Sequence, residues 1–254
     1  MVPNFRNRLL AGETLLGTML TLPSASVAEI LANAGFDWLF VDCEHGPMDV
    51  AAVQSVLQAV GDRCACLVRV PECDAGEIKR MLDAGAQGII VPCVNSAAEA
   101  AAVVHAARYP PIGGRGVGIG RAQGYGGKFG EYVSRANDEV VVVVQAEHRD
   151  AVAAIESIVA VPGVDCVLIG PYDLSASMNR MGQIDHAEVV AAIERVLQVC
   201  RTAEICTGYF GVTGEAVEEY RRRGCRLLVA GVDVVFLSSG AQRLHRQLAT
   251  GAST

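Results

Sequence analysis

Eight short apolar runs recur along the chain, each followed by residues whose apolar positions fall at helical spacing, and this alternation restricts the fold more than any other feature. The runs cover residues 15–21, 38–43, 65–70, 88–94, 140–146, 166–170, 206–210 and 227–230. Most lack a strict apolar–polar alternation, as expected of strands covered on both faces. Between them, Val27, Ile30, Leu31 and Ala34 follow a helical stripe, as do Val50, Val53 and Leu57. Val189, Ile193, Val196, Leu197 and Cys200 mark a longer helix. Strands alternating with helices predict a parallel sheet with helical crossovers, and eight such units predict a TIM (β/α)8 barrel, one domain over residues 1–254. The length of 254 residues and 51% hydrophobic content suit that fold.

Helix starts with a capping-box pattern are expected at Ser26 with Glu29, Asp74 with Glu77 and Ser96 with Glu99. Residues 108–130 form a glycine-rich interruption that reads as a mobile segment over the barrel mouth. Its glycines follow a helix rather than a strand, and no phosphate-loop lysine accompanies them, so a nucleotide site is disfavoured. A shorter interruption covers 178–186, and residues 251–254 read as a loose tail.

Twenty-one basic against 28 acidic residues leave a net charge of −7, and no basic cluster offers a surface for nucleic acid. The apolar runs 140–144 and 158–164 fall far short of the ~18–20 residues that span a bilayer. Residues 1–10 carry Arg6 and Arg8 with no apolar stretch behind them, so no secretory signal is expected. The nine cysteines include no C-x-x-C pair and read as buried free thiols of a reducing cytoplasm rather than a zinc site.

In this fold chemistry belongs to the C-terminal ends of the strands. Asp42, Glu44 and His45 end the second run, Arg69 the third, and Gln145 and Glu147 the fifth, with Asp173 just after the sixth. Glu147 and Asp173 offer hard oxygen ligands suited to Mg²⁺ or Mn²⁺, and the competing role is a pair of helix N-caps. His45 is a candidate general base or a histidine satisfied by its own loop. Arg69, ending an apolar strand, must meet a carboxylate of the protein or of a substrate. Only Lys79 and Lys128 are present, one in a helix and one in the glycine-rich loop. Neither fits the strand-end lysine of a Schiff-base aldolase, so aldol chemistry here would lean on a metal.

The same strand ends carry a resemblance. Val41-Asp42-Cys43-Glu44-His45-Gly46, Arg69, Met81-Leu82-Asp83-Ala84-Gly85-Ala86, Tyr109-Pro110-Pro111-Ile112-Gly113-Gly114-Arg115-Gly116, Gln145-Ala146-Glu147 and Gly170-Pro171-Tyr172-Asp173-Leu174-Ser175 follow one another in the order found in metal-dependent pyruvate aldolases. Over roughly residues 6–248 the chain resembles the HpcH/HpaI family, which includes 4-hydroxy-2-oxoheptanedioate and 2-dehydro-3-deoxyglucarate aldolases. The resemblance implies that Glu147 and Asp173 hold a divalent metal (Mg²⁺, Mn²⁺ or Co²⁺) and that Gln145 contacts a bound 2-oxo acid. It implies His45 as catalytic base oriented by Asp83, Arg69 as the group that stabilises the enolate, and Asp42 as part of the catalytic set. The Tyr172 and Asp173 backbone N–H groups would receive the substrate carboxylate. It also implies a homo-oligomer, commonly a hexamer of paired barrels, with the last helix exchanged with a neighbour. The stripe Leu237, Ala241, Leu244 and Leu248 fits that or ordinary barrel packing. His148, where the family commonly has a small hydroxyl residue, is expected to alter contacts behind the metal ligands.

The activity expected is reversible retro-aldol cleavage of a 4-hydroxy-2-oxo acid into pyruvate and an aldehyde. An acyl-CoA lyase of malyl or citramalyl type would need a basic adenine-accepting groove, which the acidic chain does not advertise. A non-catalytic oxo-acid-binding barrel would not need a base together with metal ligands. Selection of the aldehyde is expected from residues 115–137, Arg121 or Tyr125 among them, or from a neighbouring subunit.

Overall fold

The structure, a computed structural model, describes residues 4–251. Helix α1 (Phe5–Leu10) precedes β1 (Leu15–Leu20), α2 (Ala25–Asn33), β2 (Trp38–Asp42), α3 (Val50–Val60), β3 (Ala65–Arg69), α4 (Ala75–Asp83) and β4 (Gly88–Val91). The second half runs α5 (Ala97–Ala107), α6 (Phe129–Glu139), β5 (Val141–Ala146), α7 (Arg149–Ala153), α8 (Ile155–Val159), β6 (Cys166–Ile169) and α9 (Pro171–Ser177). It ends with α10 (Ala187–Thr202), β7 (Cys206–Gly211), α11 (Gly214–Arg222), β8 (Leu227–Val232) and α12 (Asp233–Gly251). The eight strands pair in sequence order, all parallel, and β8 closes on β1, so the expected (β/α)8 barrel is present.

Strand parity divides the core in two. Leu15, Trp38, Phe40, Leu67, Val143 and Leu168 fill the barrel interior, while Leu39, Val41, Val68, Val142 and Val167 face the helices. Packing inside is tight enough to dictate small residues. A Cβ on Gly17 would lie 2.5 Å from the Trp38 ring, with no room for the ring to retreat into a fully buried core. The α10 stripe is the one expected, with Val189, Ile193, Val196, Leu197 and Cys200 all buried. In α2 the buried residues are Ala28, Leu31 and Ala32, and Ile30 is exposed, so the stripe is rotated from the expected one.

Asp74 and Ser96 cap α4 and α5 as expected. The α2 cap is Ser24 rather than Ser26: Ser24 is extended and its hydroxyl accepts from the Val27 N–H, so the helix begins two residues earlier. The glycine-rich segment corrects a larger expectation. It connects α5 to β5 and therefore lies at the N-terminal end of the barrel, away from the mouth of its own chain. There the Asp83 carbonyl accepts from Ala122 N–H (3.0 Å), and Arg121 donates to the carbonyls of Ala84 (3.2 Å) and Leu57 (3.1 Å) at the ends of α4 and α3. A Cβ on Gly113 would sit 2.5 Å from the Arg108 carbonyl oxygen, so its small size serves close packing. Helix α12 leaves Leu237, Leu244 and Leu248 exposed, which removes ordinary barrel packing as the use of that stripe. Gly251 ends α12, and the rest of the expected tail lies outside the described residues. No helix among the described residues is long and apolar enough to cross a membrane.

Gly17→Ala should destabilise the fold by about 1–3 kcal/mol, the usual range for overpacking a filled core. Urea unfolding followed by the fluorescence of Trp38, the single tryptophan, measures this directly; an unchanged midpoint would show that the interior can yield.

Candidate active site

The interior parity of the strands continues to their C-terminal ends and changes chemistry there. Trp38 and Phe40 are followed on the same face by Asp42, Leu67 by Arg69, and Val141 and Val143 by Gln145 and then Glu147. The top layer of the barrel is thus ionic above an apolar floor. Asp42 and Arg69 are register partners on adjacent strands, with side chains only 1% and 7% exposed. The Arg69 guanidinium donates from Nε to Asp42 Oδ1 at 2.9 Å and from Nη2 to Oδ2 at 2.8 Å, a two-pronged pair. Asp42 Oδ1 also accepts from the Glu44 N–H at 3.1 Å, which folds the β2–α3 loop back over the pair. The guanidinium carbon lies 5.0 Å from the Phe40 ring centroid.

The third nitrogen of Arg69, Nη1, points to the open side. It donates to Gln145 Oε1 at 3.4 Å and stands 2.9 Å from Glu44 Oε2. That Glu44 oxygen is buried and makes no aligned hydrogen bond, so it is electrostatically paired but geometrically underused. Gln145 in turn donates to Glu147 Oε2 at 2.7 Å, and Glu147 Oε1 accepts from the Cys93 N–H at 2.8 Å. Cys93 supplies that N–H from a left-handed backbone conformation, φ 51°. One hydrogen-bonded chain therefore links Asp42, Arg69, Gln145, Glu147 and Cys93 across four strands.

Three acids crowd the open end of this chain. Burial raises the Glu147 carboxyl above its ordinary range, the Cys93 N–H opposes that, and the charges of Glu44 and Asp173 raise it further. Glu44 is raised too, first by burial and then, against Arg69 and His45, by Asp42 and Asp173. Burial works against the Arg69 charge, but the Asp42 hydrogen bonds and the charges of Asp42, Glu44 and Glu147 outweigh it and hold its pKa up. Mutual repulsion among carboxylates is relieved by a cation. A Cβ on Gly170 would stand 2.8 Å from Glu147 Oε2, so the glycine keeps the approach to that oxygen clear. The donors are all oxygen, the buried Glu44 oxygen is unused, and two carboxylates completed by water or substrate suit Mg²⁺-type coordination. The residues fit a divalent ion, although among the described residues no ready cluster of three or more His, Cys, Asp and Glu is assembled.

The competing use of the two acids as helix caps is not what the fold adopts. His148 caps α7, its Nδ1 accepting from the Asp150 N–H at 3.2 Å, and Gly170 occupies the cap position of α9. His148 also stands 3.4 Å from Asp150 Oδ2 through the same nitrogen. Asp173 is exposed in the first turn of α9 beside exposed Tyr172, and among the described residues no acceptor takes the backbone N–H of either. His45 lies on the loop after β2, 69% exposed, with Nε2 3.9 Å from Glu44 Oε2. Asp83 is not near it. Helix α4 starts beside the mouth and runs back along the barrel, so its last residue sits at the opposite end, where Asp83 accepts from Arg115 Nη2 at 2.6 Å and Gln123 Nε2 at 3.4 Å. Arg121 and Tyr125 lie at that end as well. Glu44, to which sequence gave no role beyond flanking His45, stands at the centre of the cluster; its position two residues beyond Asp42 was the available signal. Cys93 acts through its backbone, which leaves no mark in the sequence.

A (β/α)8 barrel with an arginine–carboxylate chain and a cluster of acids at its mouth defines an enzyme scaffold suited to small anionic substrates. A sequence model of the HpcH/HpaI aldolase/citrate lyase family matches residues 16–239. The chain is 41% identical over 250 residues to a 4-hydroxy-2-oxovalerate aldolase of Rhodococcus jostii, covering 98% of this chain and 96% of that one. It is 39% identical over 254 residues to a hydroxypyruvate/pyruvate aldolase of Pseudomonas aeruginosa, covering 99% and 94%. Among solved structures, a HpcH/HpaI aldolase/citrate lyase family protein from Burkholderia cenocepacia superposes with a TM-score of 0.92 at 38% identity, over 96% of this chain and 98% of that one. This chain belongs to the HpcH/HpaI aldolase/citrate lyase family.

Glu147 binds its proton more tightly in the fold than in the unfolded chain, so between the two pKa values the native state carries more protons. The metal-free protein should therefore gain stability as pH falls from neutrality toward the ordinary carboxylate range, and lose it again only where other groups titrate. Melting temperatures across that range should rise on acidification, with a shallower slope in Glu147→Gln; a slope identical in the two proteins would contradict the assignment.

Proposed function

We propose that the protein is a metal-dependent aldolase that reversibly cleaves a 4-hydroxy-2-oxo acid into pyruvate and an aldehyde. The observation that carries the reading is the chain from Asp42 through Arg69 and Gln145 to Glu147, which brings a fixed guanidinium and a buried carboxylate to one small space at the barrel mouth. Glu147 and Asp173 would hold the divalent ion, with Mg²⁺, Mn²⁺ and Co²⁺ all compatible with oxygen ligands. When bound, such an ion supplies Lewis-acid polarisation of the 2-oxo carbonyl.

The chain's own groups do the rest. The free N–H groups of Tyr172 and Asp173 receive the substrate carboxylate, and Gln145 orients the oxo acid. His45 takes the proton of the 4-hydroxyl, directly or through water, as the C3–C4 bond breaks. The electron pair of that bond moves into the C2–C3 bond of the departing enolate, and the 4-carbon leaves as the aldehyde carbonyl. Arg69 Nη1 turns from Glu44 to the enolate oxygen, while Nε and Nη2 stay clamped by Asp42, so the cation is ready where charge develops. Protonation at C3 then gives pyruvate. In the condensation direction the same steps run backwards.

The positions of Asp83 and of the 108–128 segment bear on assembly. If Asp83 orients His45, it does so on the mouth of another copy, because within one chain the two lie at opposite ends of the barrel. Ile112, Val117, Ile119 and Tyr125 are exposed on the same segment, and α12 leaves its own apolar stripe uncovered. The working form is a homo-oligomer in which a neighbour's 108–128 segment borders the mouth and contributes to choice of aldehyde.

Pyruvate methyl protons should exchange with solvent deuterium when Mg²⁺, Mn²⁺ or Co²⁺ is supplied, and NMR would follow the loss of the methyl signal. No exchange with any of the three would overturn the aldolase reading. Arg69→Ala and His45→Ala should each lower turnover by about 10²-fold or more. Mixing inactive His45→Ala with inactive Asp83→Asn under subunit-exchange conditions should restore part of the activity; a mixture as inactive as its components would place the two residues in unshared roles.

A further inference from the structure

A cavity lies at the end of the barrel opposite the mouth, and the catalytic reading makes no use of it. It has a volume of about 210 Å³ and is lined by Arg201, Glu204, Cys206, Arg223 and Arg226 where α10, β7 and the α11–β8 turn meet. Arg223 is already neutralised, donating to Glu194 at 2.5 Å and to Glu219. Arg201 and Arg226 are not. Arg201 donates to the Arg223 carbonyl at 3.2 Å and Arg226 to Thr14 Oγ1 at 3.1 Å, and among the described residues neither pairs with a carboxylate. Glu204 is the one acid in the lining, so the cavity presents excess positive charge in a chain whose net charge is −7.

Cys206 opens onto this cavity and is partly exposed. Cys166 is its register partner on β6 and is fully buried, while the Cys206 thiol donates to the Thr207 carbonyl at 3.6 Å. Paired strands stand about 4.8 Å apart, inside the range of about 4.4–6.8 Å between Cα atoms that a disulfide spans. One thiol is thus reachable and the other waits behind it, the arrangement of an attacking and a resolving cysteine.

We infer that this cavity is a thiol-modification site that takes small disulfides bearing carboxylates: Cys206 forms the mixed disulfide, Arg201 and Arg226 hold the carboxylates, and Cys166 resolves it. The Cys206 thiolate attacks one sulfur of the reagent R–S–S–R, forming a Cys206–S–S–R bond and releasing one R–S⁻. The Cys166 thiol then attacks Cys206 Sγ, its proton passing to the departing sulfur, so that R–SH is released and a Cys166–Cys206 disulfide is left. Two protein thiols are oxidised and one reagent disulfide is reduced to two thiols.

The test uses the full-length protein with three reagents: oxidised glutathione, which carries carboxylates, the neutral 2-hydroxyethyl disulfide and the cationic cystamine. Modification at Cys206 is followed by quenching with an alkylating agent and mass mapping, and each rate is divided by that of the same reagent with free cysteine. Cys206 should react in the order glutathione, neutral, cationic, with about tenfold or more between the extremes at low salt. Arg201→Gln combined with Arg226→Gln should remove that order. The wild-type product should be the Cys166–Cys206 disulfide, and Cys166→Ser should stop at the mixed disulfide. An unreactive Cys206, or normalised rates indifferent to reagent charge in the wild-type protein, would overturn the proposal without recourse to any variant.

Discussion

The buried Asp42–Arg69 pair is the interaction on which the mouth of the barrel depends. An arginine at the end of an apolar strand is costly without compensation, and removing one partner of such a pair commonly costs about 3–5 kcal/mol. Here both Asp42 oxygens meet the guanidinium, and one of them also ties down the loop that carries Glu44 and His45. Two of the three guanidinium nitrogens are fixed by this clamp and the third is left facing the open side. A cation whose direction is set by the fold, rather than by the arriving substrate, has little reorganisation left to undergo when charge develops beside it.

From that pair the rest of the mouth follows by contact. Gln145 bridges Arg69 to Glu147, and the Cys93 backbone holds the far oxygen of Glu147. Burial first, and then repulsion among the acids that surround the space, raises the Glu44 and Glu147 carboxyls above their ordinary range. An excess of buried negative charge and a single oriented positive group describe a site completed by a divalent ion and an anionic substrate together. Membership of an aldolase and lyase family gives that electrostatic description a chemistry.

Much of this was legible in the sequence because strand parity is a strict rule. Once Trp38 and Phe40 are placed inside, Asp42 must face the same way, and the same step of two carries Val143 to Gln145 and Glu147. The α10 stripe was readable for a similar reason, since five apolar residues at helical spacing leave one orientation. What failed was the placing of the glycine-rich loop, whose local composition was read apart from its place in the chain order. The glycines of 108–130 follow a helix and precede a strand, an order that already puts their loop at the N-terminal end of the barrel, and the fold shows them packed on the far ends of α3 and α4. Asp83 is separated from His45 of its own chain for the same reason: a helix that begins at the mouth ends some distance from it. Ser24 and Ser26 offer equal hydroxyls, and the extended backbone at Ser24 decides between them.

The account turns on a cation held jointly by Glu147 and Asp173 next to a pre-aimed Arg69. Titration of the metal-free protein with Mn²⁺, followed by electron paramagnetic resonance of the free ion, tests it without reference to turnover. The account predicts one ion per chain, held more tightly when pyruvate is present, and lost when Glu147 and Asp173 are both replaced by their amides. Binding that survives the double replacement, or that is indifferent to pyruvate, would contradict it.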